Sequence, residues 1–277
     1  EMGDFLAAVD LGTIRTATEI ATGQHHSCAL LDDGSVKCWG LNSYGQLGIG
    51  NTSTRGDGAN EMGDDLVAVD LGTGRTAISI EAGATFTCAI LDSGVLKCWG
   101  QNNNGQLGQG HRENIGHGPD LDSNGISCHP TLNTDLNTRE CNARLGDGLA
   151  AVDLGDGRTA VSVSAGYSST CAILDNGSVR CWGNNQNGRT GLGMSSGYTG
   201  DADDEMGDDL ATVELGTGRT ASSISVGYSH ACALLDNLSI ACWGHNGQGQ
   251  IGIGTNNDVD TTTEMGEGLV TANLPTT

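Results

Sequence analysis

Basic side chains are scarce in this chain. Twelve Lys and Arg stand against 34 Asp and Glu over 277 residues, a formal charge of −22 at pH 7. The twelve are spread along the sequence and form no run. That excludes DNA and RNA as partners, because nucleic acids are bound by clustered cations that displace counterions. Aromatic side chains are few: four Trp, four Tyr and two Phe. No apolar run nears the roughly 20 residues of a membrane-spanning helix, so membrane insertion is not expected. The sequence opens without Met or a signal peptide, so Glu1 is expected to be a processed terminus or the edge of an excised segment. Leu, Ile, Val and Phe number only 54, and low aliphatic content with high net charge is the usual mark of disorder. Three features oppose it: an internal repeat, 45 glycines at fixed places and ten cysteines in regular pairs.

The repeat is read first, because a period of this size means a solenoid, a propeller or an array. Glu1-Met-Gly-Asp recurs as Glu61-Met-Gly-Asp, Arg144-Leu-Gly-Asp and Glu205-Met-Gly-Asp, and a partial fifth unit opens at Glu264. The units are 1–60, 61–143, 144–204 and 205–263, with a partial fifth at 264–277 and an insertion at 111–143 in the second. Each begins with Val-x-Leu (Val9 and Leu11, Val69 and Leu71, Val152 and Leu154, Val213 and Leu215), the alternation of a short strand. A small-residue strand ending in Gly23, Gly83, Gly166 or Gly227 follows, suited to a crowded centre where backbones converge.

Next comes a hairpin, Cys28 to Cys38 and its copies. Pairing the two cysteines sets Leu31 against Ser35 and leaves Asp32-Asp33-Gly34 as a three-residue loop closed by glycine. Directly opposed cysteines lie within reach of a cross-strand disulfide. The same spacing recurs at Cys88 and Cys98, at Cys171 and Cys181, and at Cys232 and Cys242. Cys128 and Cys141 remain as a fifth pair inside the insertion. The alternative, zinc bound by four cysteines, needs pairs from different units to converge. Disulfides imply an oxidising compartment, and the expected location is extracellular.

Each hairpin is followed by a tryptophan and glycine (Trp39, Trp99, Trp182, Trp243), read as packing between units, and the unit closes on runs such as Gly45-Gln46-Leu47-Gly48. The run G-x-x-H-x-C-A-L-L-D-D-G-x-V-x-C-W-G-x-N-x-x-G-Q-L-G resembles the repeat of regulator-of-chromosome-condensation (RCC1-like) β-propellers. The resemblance covers all four units. It implies an all-β propeller of four-stranded antiparallel blades in one domain, residues 1–277. Nuclear members of that family act on a small GTPase and bind chromatin. This chain is acidic, cysteine-paired and lacks a basic tail, so it resembles the secreted branch, whose members bind or inhibit other proteins. It has four units, where the family closes a ring with about seven.

In the family, one unit's Val-x-Leu strand finishes the preceding blade. In that phase Leu269–Leu274 completes the fourth blade and Leu6–Leu11 has none to join; in the other phase Leu269–Leu274 is the orphan. Either way one strand is spare, and an unpaired strand invites another chain. The chain is then an arc of a longer propeller or a subunit that assembles head to tail; a closed four-bladed ring is the third possibility.

Residues present in every unit are scaffold, so chemistry is sought in what is unique. Asp120, Asp122, Asn124 and the Ile126 carbonyl follow the start of a calcium loop, with Gly125 at its sharp turn, but Thr131 stands where the closing glutamate belongs. Calcium is the one cofactor suggested; the other reading is a plain turn. The acidic run Asp201–Asp209 reads as a solvated loop or a weak divalent site. His111, His117 and His129 share the insertion with two cysteines, where a stapling disulfide competes with zinc. His25, His26 and His230 read as structural hydrogen-bonders. No hydrolase, metalloprotease or phosphate-loop motif occurs, and the chain is expected not to be an enzyme. Asn51, Asn176 and Asn237 head sequons that matter if the source is eukaryotic. The expected function is an extracellular structural protein whose copies join through the spare strand. The alternative is a secreted module that grips a protein or glycan with its loop faces and the 111–143 insertion.

Overall fold

The computed structural model describes residues 7–117, 145–193 and 197–272. The calcium-loop residues Asp120, Asp122, Asn124 and Ile126 lie outside the described residues. So do His129 and the expected fifth disulfide pair, Cys128 and Cys141.

Every repeat builds an antiparallel meander: β1 (Ala17–Thr22), β2 (His26–Leu31) and β3 (Val36–Gly40); β4 (Ala77–Ala82), β5 (Phe86–Leu91) and β6 (Leu96–Gly100); β7 (Ala160–Ala165), β8 (Ser169–Leu174) and β9 (Val179–Asn184); β11 (Ala221–Val226), β12 (His230–Leu235) and β13 (Ile240–Gly244). A register shift recurs in each inner strand, first between Ala17 and Glu19, where one extra residue bends it. The hairpin has the register its spacing dictates. Cys28 opposes Cys38, the Leu31 amide donates to Ser35 at 2.9 Å, and Gly34 closes the turn at φ +77°. All four hairpins carry the expected disulfide between directly opposed cysteines. Cys28 is bonded to Cys38, Cys88 to Cys98, Cys171 to Cys181 and Cys232 to Cys242, with Cα atoms 4.0–4.1 Å apart. For these eight cysteines the zinc alternative is excluded, since each thiol is spent on its own hairpin partner.

The fourth strand arrives in two pieces from different repeats. One end of the outer edge takes a residue from the same repeat's tail: Arg55 bridges Gly40, Ile115 bridges Gly100, Val259 bridges Gly244, and β10 (Tyr198–Thr199) pairs with β9. The other end is covered by the next repeat. The amides of Val69, Val152 and Val213 donate to Val36, Leu96 and Val179, each at 2.8 Å, and β14 (Thr271–Ala272) pairs with β13. Two of the four sheets are therefore three-stranded, where continuous four-stranded blades were expected. The glycine-rich closing turn carries the chain away before it can run along the whole edge. Cations bolt the repeats together: Lys97 Nζ donates to the carbonyls of Leu71 (3.1 Å) and Gly146 (2.7 Å), and Lys37 makes the same pair of bonds to Leu11 and Gly63.

The family phase thus holds: the leading segment of each later repeat covers the edge of the blade before it. Successive blades pack through their tryptophans. Trp99, Trp182 and Trp243 are fully buried, and each indole N–H donates at 3.1 Å to a carbonyl of the blade before, Gln46, Gln106 or Arg189. Along the axis the Gln24, Ala84 and Tyr167 amides each donate to the following blade, at Ala84, Gly166 and Gly227. Among the described residues no such bond returns from the fourth blade to the first. The four blades form an open arc.

Candidate functional site

The inner strands converge on a groove of about 280 Å³ along the axis, lined by Gly23, Gly83, Gly166 and Gly227 and their neighbours. Glycine is required there by close approach: a Cβ on Gly23 would stand 2.4 Å from the Gly83 carbonyl, and one on Gly166 2.5 Å from that of Gly227. Small residues therefore permit the blades to meet, and the next position in each repeat sets the character of the surface. Blades 1 and 2 place Gln24 and Ala84 there, and blades 3 and 4 place Tyr167 and Tyr228. These two rings lean together with centroids 4.3 Å apart and planes at 36°, while 41% and 65% exposed. A pair of exposed, mutually stacked tyrosines beside a groove is a ready contact surface, since aromatic rings bring large area at small entropic cost.

Two carboxylates, Glu19 and Glu81, lie close together where blades 1 and 2 meet. Glu19 on β1 accepts from Ser79 Oγ (3.1 Å) and the Ile80 amide (3.3 Å) of the next blade. Burial, and then the charge of Glu19, push the Glu81 carboxyl up to about 7. His26 is buried between the same blades. Thr87 Oγ1 donates to the Gln46 carbonyl at 2.9 Å, so its contact with His26 Nε2 at 3.0 Å has the imidazole as donor. That fixes the tautomer and leaves Nδ1 buried without a hydrogen-bond partner. Burial accordingly lowers the His26 pKa to about 4, against a small opposing effect of the Phe86 backbone. His230 is lowered chiefly by burial and then by His245. His25 is exposed, and its backbone carbonyl accepts from Leu41; the histidine next to the cysteine strand faces in, and the one before it faces out. His111 and His117 serve their own loop: the His111 carbonyl accepts from Asn102 Nδ2 at 2.6 Å, and His117 Nε2 meets the Asn114 carbonyl at 3.0 Å.

The acidic run near Asp201 is organised by the backbone and by a cation. Glu205 accepts from the amides of Asp201 and Ala202, as Glu61 does from Gly56, Asp57 and Gly58, and Glu264 from Asp260 and Thr261. Arg112 pairs with Asp201 and lies 4.3 Å from the Tyr198 ring centroid. Glutamate at that place in three repeats caps a turn. Among the described residues no group of three His, Cys, Asp or Glu is placed to hold a metal. The sequons differ: Asn176 and Asn237 are exposed at hairpin tips, each accepting from the Ser two residues on, and Asn51 is half-buried. The rim pairs Arg75–Asp92, Arg158–Asp175 and Arg219–Asp236 are exposed and contribute little.

The repeat profile described as Regulator of chromosome condensation (RCC1) repeat matches residues 17–46, 77–106, 160–189 and 221–250. The chain is an RCC1-repeat protein. These four stretches run from each inner strand to its closing turn, the part of the repeat held by the disulfide and the tryptophan. The chain is 27% identical over 267 residues to the Ultraviolet-B receptor UVR8 of Arabidopsis thaliana, covering 87% of this chain and 56% of that one. It is 27% identical to the human E3 ubiquitin-protein ligase HERC2 over 86% of this chain and 4% of the ligase. It is 30% identical to the mitochondrial RCC1 domain-containing protein RUG3 of Arabidopsis thaliana, over 84% and 43%. The chain thus spans about half or less of the curated relatives it matches. Among solved structures it is similar to yeast RCC1 (Prp20) bound to Kap60, with TM-score 0.60 and 17% identity over 91% of this chain and 49% of that one. This supports the propeller fold for the RCC1-repeat arc. The four disulfides set it apart from the reducing cytosol, and among the described residues no helix is long and apolar enough to cross a membrane.

Proposed function

We propose that this RCC1-repeat arc is a non-enzymatic, extracellular protein-binding module, with the tyrosine-flanked axial surface as its contact face. The observation that carries the reading is the stacked, exposed pair Tyr167–Tyr228 at the rim of the groove. The formal charge of −22 favours a basic protein segment as the partner, since complementary charge steers encounter. Yeast RCC1 is solved in complex with Kap60, a protein partner, in keeping with a binding role. The test is selection of peptides from a displayed library on the wild-type chain, followed by titration against a Tyr167→Ser, Tyr228→Ser double variant. Binders losing at least about tenfold in affinity, with melting unchanged, support the reading. Binders indifferent to both tyrosines refute it.

A second reading, assembly of copies of this chain into an extracellular structure, is favoured by a separate observation. Val9 and Ile20 are 54% and 72% exposed, although their equivalents in the other repeats are buried. Calcium on Asp120, Asp122, Asn124 and Ile126 remains part of either reading.

A further inference from the structure

Three of the four repeats carry a cation at one place on their third strand, and the fourth does not. Lys37, Lys97 and Arg180 each stand one residue before the second cysteine of the hairpin, where the fourth repeat has Ala241. The cation bridges two backbone carbonyls, one from the leading segment of its own repeat and one from the turn that opens the next. For Lys37 these are Leu11 and Gly63, for Lys97 Leu71 and Gly146, and for Arg180 Leu154 and Gly207. Carboxylates stand close by: burial lowers the pKa of Lys97, and Asp147 and then Asp70 oppose that effect.

The fourth repeat keeps the frame of this site without its cation. Leu215 and Gly266 hold the places of the two carbonyls. The Gly266 amide donates to the Glu214 carbonyl at 2.8 Å, as that of Gly146 does to Asp70 at 2.9 Å. Glu267 stands for the aspartate of the other turns and accepts from the Thr217 amide at 2.7 Å, the bond that Asp147 makes with Thr73 at 2.8 Å. Thr217 holds the Glu267 carboxyl below its ordinary range, so it is charged. Ala241 is buried and pairs with Thr271 as Lys37 pairs with Ala68, but its methyl group has nothing to donate.

A pocket of about 320 Å³ lies there, lined by Leu215, Gly216, Thr217, Gly266, Glu267 and Thr271 among others. A Cβ on Gly12 or Gly72 would stand 3.3 or 3.5 Å from the lysine Nζ, whereas one on Gly216 would find the Gly266 carbonyl oxygen at 3.7 Å. Arg219 also lines the pocket, but its guanidinium is paired with Asp236 at 3.1 Å, as that of Arg75 is with Asp92 in the repeat of Lys97. In the three filled copies the leading segment and the next turn supply both carbonyls, and both segments are in place here.

We propose that this pocket binds a primary ammonium on an alkyl stem, its N–H donors on the Leu215 and Gly266 carbonyls and its charge against Glu267. The ligand takes the part that Lys37 and Lys97 play from within the chain. The site shares no lining residue with the axial groove and is independent of the tyrosine surface.

The experiment is a titration of the isotope-labelled 277-residue chain with butylammonium chloride, followed by amide chemical shifts at constant ionic strength. Saturable shifts are expected at Gly216, Thr217, Gly266 and Glu267, with a millimolar midpoint. Tetramethylammonium has the same charge and no N–H, and should leave these amides unmoved. Ala241→Lys puts a tethered ammonium in the pocket, so it should abolish the response and raise the melting temperature. Glu267→Gln, at an exposed position, should weaken binding several-fold. A parallel titration with Nα-acetyl-lysine N-methylamide separates two sources of the ligand. Comparable shifts assign the pocket to a lysine side chain of another protein, and a response to butylammonium alone assigns it to a free small amine. The absence of saturable shifts overturns the proposal. So does a response that tetramethylammonium matches, that survives Ala241→Lys or that is indifferent to Glu267→Gln.

Discussion

Replacing Glu81 with Gln is expected to stabilise the chain at neutral pH and to leave it nearly unchanged in mild acid. The side chain sits on β4 where blades 1 and 2 meet at the axis, and burial together with Glu19 lifts its carboxyl from 4.5 to about 7. The unfolded chain releases that proton near 4.5, so between 4.5 and 7 the folded state holds more proton. Its contribution therefore favours folding most fully below pH 4.5 and is lost as pH rises through 7. At about 1.4 kcal/mol per pH unit, the difference between the two values sets a ceiling of about 3.4 kcal/mol. The group is partly open to water, which screens it, and about 1.5 kcal/mol is the working figure. Urea unfolding followed by tryptophan fluorescence, at about pH 5 and about pH 7.5, gives the stability of variant and wild type. Their difference cancels the other carboxylates. It should grow from a few tenths of a kcal/mol at the lower pH to about 1.5 kcal/mol in favour of the variant at the higher. A difference that does not move with pH would refute the reasoning.

His26→Phe tests the opposite sign at the same interface, and Phe86 already occupies the equivalent place in blade 2. The His26 pKa is held at about 4, so its contribution to stability is present above its unfolded value of 6.5 and is lost as pH falls through 4. The stability of His26→Phe relative to wild type should therefore rise by about 2 kcal/mol between about pH 7.5 and about pH 5, read by the same urea titration. Ile14 and Leu238 stand at φ +64° and +67°, 90% and 75% exposed, where the other repeats place glycine. Ile14→Gly and Leu238→Gly should each stabilise the chain by about 1 kcal/mol, seen as a raised melting temperature. The double variant Cys171→Ser with Cys181→Ser removes a buried hairpin disulfide. It should lower stability by about 2–3 kcal/mol in the same denaturation assay. Calcium on the Asp120 loop would raise the melting temperature in calcium over EGTA, and identical melts would refute it.

Much of this was legible in the sequence because it is local. The ten-residue spacing of Cys28 and Cys38, repeated from Cys88 to Cys98, Cys171 to Cys181 and Cys232 to Cys242, determines the hairpin register. Asp32-Asp33-Gly34 is likewise a loop whose glycine must turn left-handed. The tryptophans read as packing for the same reason: each follows its cysteine on a strand and so faces the opposite side. The two-piece fourth strand was not legible, because Arg55 and Ala68 reach the same edge from separate repeats through single bridges. Burial at the ends was not legible either. Val9 and Val69 head the same motif, and Ile20 and Ile80 hold the same place on their strands. Val69 and Ile80 are buried because blade 1 packs against them, a contact between repeats that no local pattern records. Tyr167 and Tyr228 were within reach, since the position after Gly166 and Gly227 turns aromatic in two successive repeats. The groove that gives them meaning exists only once four blades converge.

The order in which a blade is finished has a consequence for how the chain is made. The two cysteines of a hairpin lie ten residues apart, so the bond needs only that short stretch to close. The outer edge of the same blade waits for residues of the next repeat, such as Val69 for blade 1 and Val152 for blade 2. Each blade can thus be oxidised before it is sealed, and its outer edge stays open until the next repeat is in place. The covalent staple holds that edge in shape through the interval, when a hairpin alone would be marginal. Oxidation during synthesis would then keep each unfinished blade from pairing with a neighbouring nascent chain.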